Sequence, residues 1–301
     1  MIKCAIDIGT NSVRILIAEV DAATGTITPL YRDGTVTRLG QGVTFLGTIR
    51  RDAAERTISA VKNYIIKARQ FNVESCTIIA TSAARDAVNG KFVLQDITES
   101  MGEKVRILTG QEEAAFIYKG VSASLGMNGA DSIIIDIGGG STEFIITGHK
   151  GGTVLKSINA GAVRMTEGLI KNDVPAPEDI DRACASCYEA YYEGEIPEGL
   201  TAQQLIGVGG TITTLAAIKY SLQTYDRAVV HDSILTLEEV QEILLQLSAV
   251  PLAQRKEING LAPDRADIII AGTLVLIFIM EKLNAQTIRV CDDGILTGLL
   301  I

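Results

Sequence analysis

The residues most suited to chemistry lie in one glycine-rich segment, residues 133–146, which reads I-I-I-D-I-G-G-G-S-T-E-F-I-I. Two apolar runs rich in β-branched residues flank the glycines and predict a buried strand, a tight turn and a second strand. Consecutive glycines let backbone N–H groups approach an anion such as phosphate. Asp136 enters the turn and Glu143 leaves it, which suits a hydrated divalent cation that bridges the protein to a phosphate. An ordinary glycine-rich hairpin is the alternative interpretation.

A weaker copy of this pattern opens the chain, where residues 5–20 read A-I-D-I-G-T-N-S-V-R-I-L-I-A-E-V. Asp7 and Asp136 lie about one domain length apart, each directly after an apolar strand. Two such strand–turn–strand units predict a duplicated α/β unit, with a cleft between the copies and two phosphate loops that face each other. A chance repeat of the D-I-G tripeptide is the alternative.

Other β–α passages carry further candidates. In A-T-S-A-A-R, residues 80–85, Ser82 is predicted to cap a helix whose first turn carries Arg85, either solvated or holding a phosphate bidentately. The segment T-G-Q-E-E-A, residues 109–114, predicts a helix that begins with Glu112 and Glu113. The helix dipole alone would favour these acids there, and a catalytic role for either is the second interpretation.

A third glycine turn follows a predicted strand over residues 204–208. Gly209, Gly210 and Thr211 begin the next helix, where their amides would face an anion or a nucleotide.

The composition excludes several classes of protein. The 301 residues carry a formal charge of -9 and the sequence pI is about 4.9, which argues against the basic surface of a nucleic-acid-binding protein. The most apolar run, residues 268–280, is shorter than the roughly 20 residues that span a bilayer, so it is interpreted as a buried helix and no membrane partner is expected. The N-terminus lacks the pattern of a signal peptide.

The cysteines indicate a reducing compartment. Five of them are scattered along the chain, which does not fit a disulfide framework and favours a cytoplasmic protein. Cys184 and Cys187 form C-x-x-C inside a helical pattern with no second pair, so neither a zinc site nor a redox motif is expected there.

The length predicts two domains. A Gly-, Ser- and Ala-rich stretch at residues 122–129 is the best boundary candidate. The predicted domains are therefore 1–124 and 125–301, with a terminal helix that could pack back on the first domain.

Together these motifs resemble the exopolyphosphatase and guanosine pentaphosphate phosphohydrolase (Ppx/GppA) family, within the actin, sugar kinase and heat-shock chaperone superfamily. The matching segments are A-I-D-I-G-T-N-S-V-R (5–14), R-L-G-Q-G (38–42), A-T-S-A-A-R (80–85), G-Q-E-E-A (110–114), D-I-G-G-G-S-T-E (136–143), G-A-V-R-M-T-E (161–167), G-V-G-G-T (207–211) and L-A-P-D-R-A-D-I-I (261–269). The resemblance covers nearly the whole chain and implies an α/β fold of two ribonuclease-H-like domains with the site in the interdomain cleft.

The resemblance also implies an activity, the release of terminal orthophosphate from inorganic polyphosphate by metal-assisted attack of water. Glu113 would be the general base for water, while Asp136, Glu143 and Asp7 would hold Mg²⁺ or Mn²⁺, and Glu143 would also order the nucleophile. The implied phosphate-binding residues are Asn11, Ser12, Arg14, Arg85, Gly138, Gly139, Gly140, Ser141, Gly209 and Gly210.

Two departures from the family pattern bear on the substrate. Leu296 in G-I-L-T-G stands where the family often has an arginine in G-L-R-E-G, which predicts weaker binding of guanosine polyphosphates. The additional helical domain of longer members is not expected, which predicts a preference for shorter polyphosphate chains. A homodimer is expected by analogy alone.

Other functions remain open alternatives to polyphosphate hydrolysis. The same residues would suit a guanosine pentaphosphate 5'-phosphohydrolase. A non-catalytic sensor of polyphosphate or an alarmone is the alternative outside the enzymes, although it would not need a base opposite a metal. A sugar kinase of the same superfamily is disfavoured because the G-Q-E-E-A segment belongs to the hydrolases.

Overall fold

The chain forms two compact units. The computed structural model describes residues 1–127, 131–149, 152–200 and 204–301. Unit 1 comprises Met1–Ala123 and Asp293–Ile301, and unit 2 comprises Ser124–Asp292. This division falls one residue before the predicted boundary, and it assigns the C-terminal segment to unit 1.

Unit 1 is built on a five-stranded mixed sheet flanked by helices. Its strands and helices are, in chain order, β1 (Ile2–Ile8), β2 (Ser12–Val20), β3 (Ile27–Val36), α1 (Val43–Leu46), α2 (Arg51–Gln70), β4 (Ser75–Ala80), α3 (Ser82–Asp86), α4 (Gly90–Met101), β5 (Val105–Ile107) and α5 (Gly110–Leu125). The strand order is β3-β2-β1-β4-β5. The first three strands are antiparallel, and β4 and β5 continue the sheet in parallel with β1.

Unit 2 is built on a six-stranded sheet. Its elements are β6 (Ser132–Ile137), β7 (Thr142–His149), β8 (Gly152–Ile158), α6 (Ala162–Leu169), α7 (Pro177–Glu193), β9 (Gln204–Val208), α8 (Gly210–Lys219), α9 (Arg227–Val230), β10 (Ile234–Thr236), α10 (Leu237–Ser248), α11 (Leu252–Arg255), a 3-10 turn (Pro263–Arg265), α12 (Ile269–Lys282) and β11 (Thr287–Val290). The strand order is β10-β11-β9-β6-β7-β8.

The two sheets share one topology. In each unit an antiparallel three-stranded meander is followed by two parallel strands, and unit 2 adds β10 at the edge beyond β11. This shared order confirms the predicted duplication and the ribonuclease-H-like α/β fold. Because β1, β4 and β5 run parallel, their carboxyl ends lie at one edge of the sheet, and the same holds for β6, β9 and β11. The glycine turns that follow β1, β6 and β9 therefore lie at these edges.

The central strand β6 is buried on both faces, as its continuous apolar run requires. In β6, Ile133, Ile134, Ile135 and Ile137 are all buried. Helix α12 is buried along most of its length, which confirms that the most apolar run of the sequence is a core helix. Within the described ranges, no helix combines the length and the apolar content needed to cross a bilayer.

The last helix, α13 (Ile295–Leu300), packs in unit 1 through close backbone contacts with α5. A Cβ on Gly120 would lie 2.0 Å from the carbonyl oxygen of Gly294, and one on Gly298 would lie 1.8 Å from that of Phe116. Neither position has room for a side chain. The segment is also anchored by an ion pair of 2.5 Å between Arg32 and Asp293.

The start of α7 depends on a buried carboxylate, Asp179. It accepts hydrogen bonds from the side chain of Asn172 (2.8 Å) and the backbone N–H of Ala176 (3.0 Å), and it pairs with Arg182. The hydrogen bond from Asn172 is the largest cause that lowers its pKa to about 2. The folded state therefore stabilises the ionised form of Asp179.

We expect Asp179→Asn to destabilise the protein by about 1–3 kcal/mol at pH 7, the cost of unsatisfied buried partners. Because the folded pKa lies below the unfolded one, the wild-type stabilisation is complete above about pH 4 and disappears as the pH falls through about 2. The difference in urea unfolding free energy between wild type and variant should therefore shrink at low pH. Asp181→Asn, at an exposed position on the same helix, is the control; equal effects of the two substitutions would contradict this account.

Candidate functional site

The glycine-rich hairpin of unit 2 brings two carboxylates together. Asp136 on β6 and Glu143 on β7 are register partners, so their side chains lie on the same face of the sheet. Both are buried, with 7% and 1% of their surface exposed. Oε1 of Glu143 accepts hydrogen bonds of 2.8 Å from the hydroxyls of Ser141 and Ser157. Two donors on one oxygen suit an ionised carboxylate held in a fixed orientation.

The turn between these strands leaves backbone amides available to a ligand. The N–H of Gly138 donates to Ser141 O at 3.0 Å and closes the turn. The first backbone N–H groups of α6 donate hydrogen bonds to carbonyl oxygens of this turn: Ala162 N donates to Gly138 O (2.9 Å), and Val163 N donates to Gly139 O (2.8 Å). No group in the described ranges accepts a hydrogen bond from the N–H of Gly139 or Gly140. Successive free amides of this kind form a concave site for an anion.

The N-terminus of α8 lies against the same carboxylate. Gly209 precedes the helix with φ of 93°, a left-handed conformation that favours glycine. A Cβ at this position would lie only 2.3 Å from Oδ1 of Asp136. Glycine therefore lets the positive end of the helix dipole approach Asp136, and the first amides of α8, at Gly210 and Thr211, face the same region.

The first hairpin, in unit 1, repeats this geometry with one change of charge. Gly9 N donates to Ser12 O at 3.0 Å, as Gly138 does to Ser141 in the second turn. Asp7 takes the position of Asp136, but its register partner is Arg14 rather than an acid. Nη2 of Arg14 lies 2.5 Å from Oδ2 of Asp7. The other oxygen, Oδ1, is buried and has no hydrogen-bond partner among the described residues.

Asn11, at the tip of the first turn, presents an unsatisfied donor. The backbone carbonyl oxygen of Asn11 accepts hydrogen bonds from the backbone N–H groups of Thr37 (3.0 Å) and Arg38 (2.8 Å), and these bonds fix the turn. Its side-chain Nδ2 is buried, and no described residue accepts a hydrogen bond from it. A buried amide without a partner costs stability, so a ligand oxygen that accepts from Nδ2 would be favoured. The neighbouring Ser12 is half-buried.

Arg85 and Glu113 form a second group in unit 1, at the edge where β4 and β5 end. Nη1 of Arg85 donates to Leu108 O at 2.9 Å and to Oε2 of Glu113 at 3.3 Å. Glu113 is buried, with 9% of its surface exposed. Arg85 therefore orients the Glu113 carboxylate, a role that its motif did not predict.

The predicted cap of α3 is wrong. Thr81 occupies the N-cap position and makes no capping bond through its side chain. Ser82 is the first helical residue, and its hydroxyl donates to Asp86 at 3.2 Å. The distinction depends on the backbone of one residue, which the motif A-T-S-A-A-R does not reveal.

The adjacent glutamates at the start of α5 have different surroundings. Glu112 is half-buried and makes reciprocal hydrogen bonds with Thr109, from Thr109 N to Oε2 (2.9 Å) and from Glu112 N to the Thr109 hydroxyl (3.2 Å). The hydrogen bond from Thr109 N, and a further one from the Thr109 hydroxyl to Oε2 (3.0 Å), lower the pKa of Glu112, and the reciprocal pattern caps the helix. Glu112 is thus occupied by a structural role, whereas the buried Glu113 is the candidate for chemistry.

One cationic side chain was not assigned a role by sequence analysis. A Cβ on Gly210 would lie 1.9 Å from Nη1 of Arg265, so this guanidinium packs directly on the backbone at the start of α8. Arg265 belongs to the matched segment at residues 261–269, which is the signal that could have identified it. Its position adds positive charge to the third glycine turn.

The donor set fits a magnesium-type ion that keeps part of its hydration shell. Within the described ranges, no three His, Cys, Asp or Glu residues are grouped so that they could hold a metal on their own. Mg²⁺ typically takes one or two carboxylates and completes its shell with waters and substrate phosphates. Within unit 2, the buried carboxylates of Asp136 and Glu143 provide oxygen ligands of this type.

Comparisons with known proteins agree on one family. The sequence profile of the Ppx/GppA phosphatase family matches residues 16–301. Exopolyphosphatase 2 of Mycobacterium tuberculosis is 32% identical over 312 residues, which cover 99% of this chain and 97% of that protein. A guanosine-5'-triphosphate,3'-diphosphate pyrophosphatase of Aliivibrio fischeri is 28% identical, over 98% of this chain and 58% of that protein. The crystal structure of the Aquifex aeolicus Ppx/GppA family member superposes with a TM-score of 0.81 at 30% identity and covers 100% of this chain and 96% of its own.

Proposed function

Because the chain belongs to the Ppx/GppA phosphatase family, we propose that it is an exopolyphosphatase, which releases orthophosphate from the end of inorganic polyphosphate. The observation that carries the proposal is the hairpin of unit 2, where Asp136 and Glu143 face each other beside the unpaired amides of Gly139 and Gly140. Carboxylates that can hold a cation, next to amides that bind an anion, suit a metal-bound phosphate chain.

Phosphate binding is assigned to the glycine turns and their neighbours. The amides of Gly139 and Gly140, together with those at the start of α8, would bind non-bridging phosphate oxygens. In unit 1, Nδ2 of Asn11 would supply a further donor. Hydrolysis of a phosphoanhydride depends mainly on such positioning and on charge neutralisation, so these contacts contribute to catalysis as well as to binding.

Glu113 is assigned as the general base. It would accept a proton from the water whose oxygen attacks the terminal phosphorus, while the bond from that phosphorus to the bridging oxygen breaks; the shortened chain keeps the bridging oxygen, and the terminal phosphorus is released as orthophosphate. The guanidinium of Arg85, 3.3 Å from Oε2 of Glu113, fixes the carboxylate before the substrate binds. Water is a weak nucleophile at neutral pH, which is why a positioned base matters here.

The proposed cofactor is Mg²⁺ or Mn²⁺. When bound, such an ion would polarise the phosphate oxygens and neutralise charge that develops in the transition state. Asp136, Glu143 and Asp7 are the proposed ligands, directly or through water. Ser141 and Ser157 hold Oε1 of Glu143 and would keep its carboxylate in one orientation throughout the reaction.

The test is phosphate release from short polyphosphate, long polyphosphate and guanosine pentaphosphate, each with Mg²⁺ and after chelation. We expect metal-dependent release from polyphosphate, faster from short chains. Release from guanosine pentaphosphate alone would replace the proposal with the second candidate, which the similarity to the Aliivibrio fischeri enzyme favours. Binding detected by calorimetry without release of phosphate would indicate a sensor.

One residue favours polyphosphate over the guanosine nucleotide. Leu296 is buried in α13, with 8% of its surface exposed, and supplies no charge where many relatives are expected to carry an arginine. A guanosine polyphosphate that needs this arginine would bind weakly, whereas a uniform phosphate chain can use the amides and cations already described.

A further inference from the structure

Two cysteines of unit 1 lie side by side on neighbouring strands. Cys4 on β1 and Cys76 on β4 are register partners in a parallel pair. Neighbouring strands are about 4.8 Å apart, which lies within the range of Cα separations that a disulfide bridges. This register places the two cysteines next to each other, while all five cysteines of the chain are free thiols.

The two thiols differ in exposure. Cys4 is 1% exposed within the core of unit 1, whereas Cys76 is partly exposed near the start of β4. The neighbouring Cys76 is the largest cause that raises the pKa of Cys4, followed by burial, with Glu103 adding to the effect. Cys4 therefore stays a neutral thiol, and Cys76 is the sulfur that a soluble oxidant reaches first.

We propose that Cys4 and Cys76 are a thiol pair that hydrogen peroxide converts to a reversible disulfide. In the first step the sulfur of Cys76 attacks one peroxide oxygen, the O–O bond breaks, and Cys76 becomes a sulfenic acid with release of one water. In the second step the sulfur of Cys4 attacks the sulfur of Cys76, and the sulfenic hydroxyl leaves with the Cys4 proton as a second water. Two thiols lose two electrons in total, and the peroxide gains them.

The C-x-x-C pair of unit 2 is not equivalent to this one. Cys184 and Cys187 lie three residues apart on one helix, α7, rather than on neighbouring strands, and Cys184 is exposed whereas Cys187 is buried. Burial is the largest cause that raises the pKa of the Cys187 thiol to about 12, so it is a poor nucleophile. This pair and Cys291, which is buried, serve as internal controls in the same molecule.

Oxidation would link the two strands that lead to candidate site residues. β1 ends at the turn that contains Asn11, and β4 leads into α3 with Arg85. A covalent bond between these strands restricts the unfolded chain, so the oxidised protein should unfold at a higher temperature than the reduced protein.

The experiment treats the reduced, full-length protein with hydrogen peroxide, alkylates the remaining thiols and maps peptides without reduction. We expect a peptide that contains Cys4 linked to one that contains Cys76, 2 Da lighter than the two reduced peptides combined. The count of titratable thiols should fall by two and return after dithiothreitol. Because this map uses the wild-type chain, its result does not depend on whether a variant folds.

Two variants test the order of the steps. In Cys4→Ser, Cys76 should accumulate as a sulfenic acid that dimedone labels, because no thiol resolves it. In Cys76→Ser, Cys4 should remain an unmodified thiol under the same treatment. Alkylation of both Cys4 and Cys76 in the peroxide-treated wild type, or a linked peptide that joins Cys184 to Cys187 in their place, would overturn the proposal.

Discussion

Glu113→Gln is expected to lower the rate of phosphate release from polyphosphate by at least about a hundredfold, the scale of a lost general base. Glutamine has the same shape and can still accept a hydrogen bond from Arg85, but it cannot take a proton from water. Arg85 also keeps its bond of 2.9 Å to Leu108 O, so the fold should be retained. Because a base acts in the transition state, kcat should fall while KM changes little. Initial rates at saturating and limiting polyphosphate measure both quantities.

The neighbouring glutamate provides a matched control. Glu112 lies at the same helix terminus, is less buried than Glu113, and bonds to Thr109. Glutamine at this position retains a carbonyl oxygen that can accept from Thr109 N, so Glu112→Gln should change the unfolding temperature slightly and the turnover hardly at all. Equal losses of activity in the two variants would show that the charge of the helix terminus matters, rather than a proton acceptor at Glu113.

The duplicated hairpins were predictable from the sequence because local physics defines them. β-branched residues favour strands, glycines permit the turn, and an acid before the glycines marks its position, so A-I-D-I-G and I-I-D-I-G-G-G predict the same unit. The structure confirms this down to the register, in which the seventh residue after each aspartate is its cross-strand partner. The family resemblance, drawn from eight motifs, is confirmed by the family profile and by relatives that match nearly the whole chain.

Contacts that depend on distant parts of the chain could not be predicted in this way. Arg265 reaches Gly210 from a segment more than fifty residues later, and Cys4 meets Cys76 because β1 and β4 pair in one particular register. A shift of the β1–β4 register by one residue would place the two cysteine side chains on opposite faces of the sheet. Sequence periodicity indicates that the strands exist, but the choice of register depends on packing against the helices of the unit.

The sequence also does not reveal which polar atoms lack a hydrogen-bond partner in the folded protein. The motif G-T-N-S-V-R identifies Asn11 and Arg14 as polar residues near a turn. It does not reveal that Arg14 is paired with Asp7, or that Nδ2 of Asn11 has no partner among the described residues. These pairings separate the side chains that stabilise the turn from those that are available to a ligand, and they follow from the cross-strand register and from the backbone of residues 37 and 38.

The second large effect is expected for Asp136→Asn. Asparagine is nearly the same size and preserves the close packing on Gly209, but it removes the negative charge that a divalent cation needs. We expect phosphate release to fall by about a hundredfold. The Mg²⁺ concentration for half-maximal activity should rise by about tenfold or more, the scale seen when a ligand environment is weakened. Mg²⁺ titrations of phosphate release measure both changes, and calorimetry with Mn²⁺ measures metal binding without substrate.

Asp131→Asn is the control for this prediction because Asp131 is exposed and lies next to the other end of the same hairpin, close to Gly148. It should leave both the Mg²⁺ dependence and the rate unchanged. If Asp136→Asn binds Mn²⁺ as tightly as wild type and still loses turnover, Asp136 acts on the phosphate or the water and is not a metal ligand. If it retains both metal binding and turnover, the hairpin of unit 2 is a structural turn, and other groups, such as the guanidinium of Arg85, must neutralise the phosphate chain.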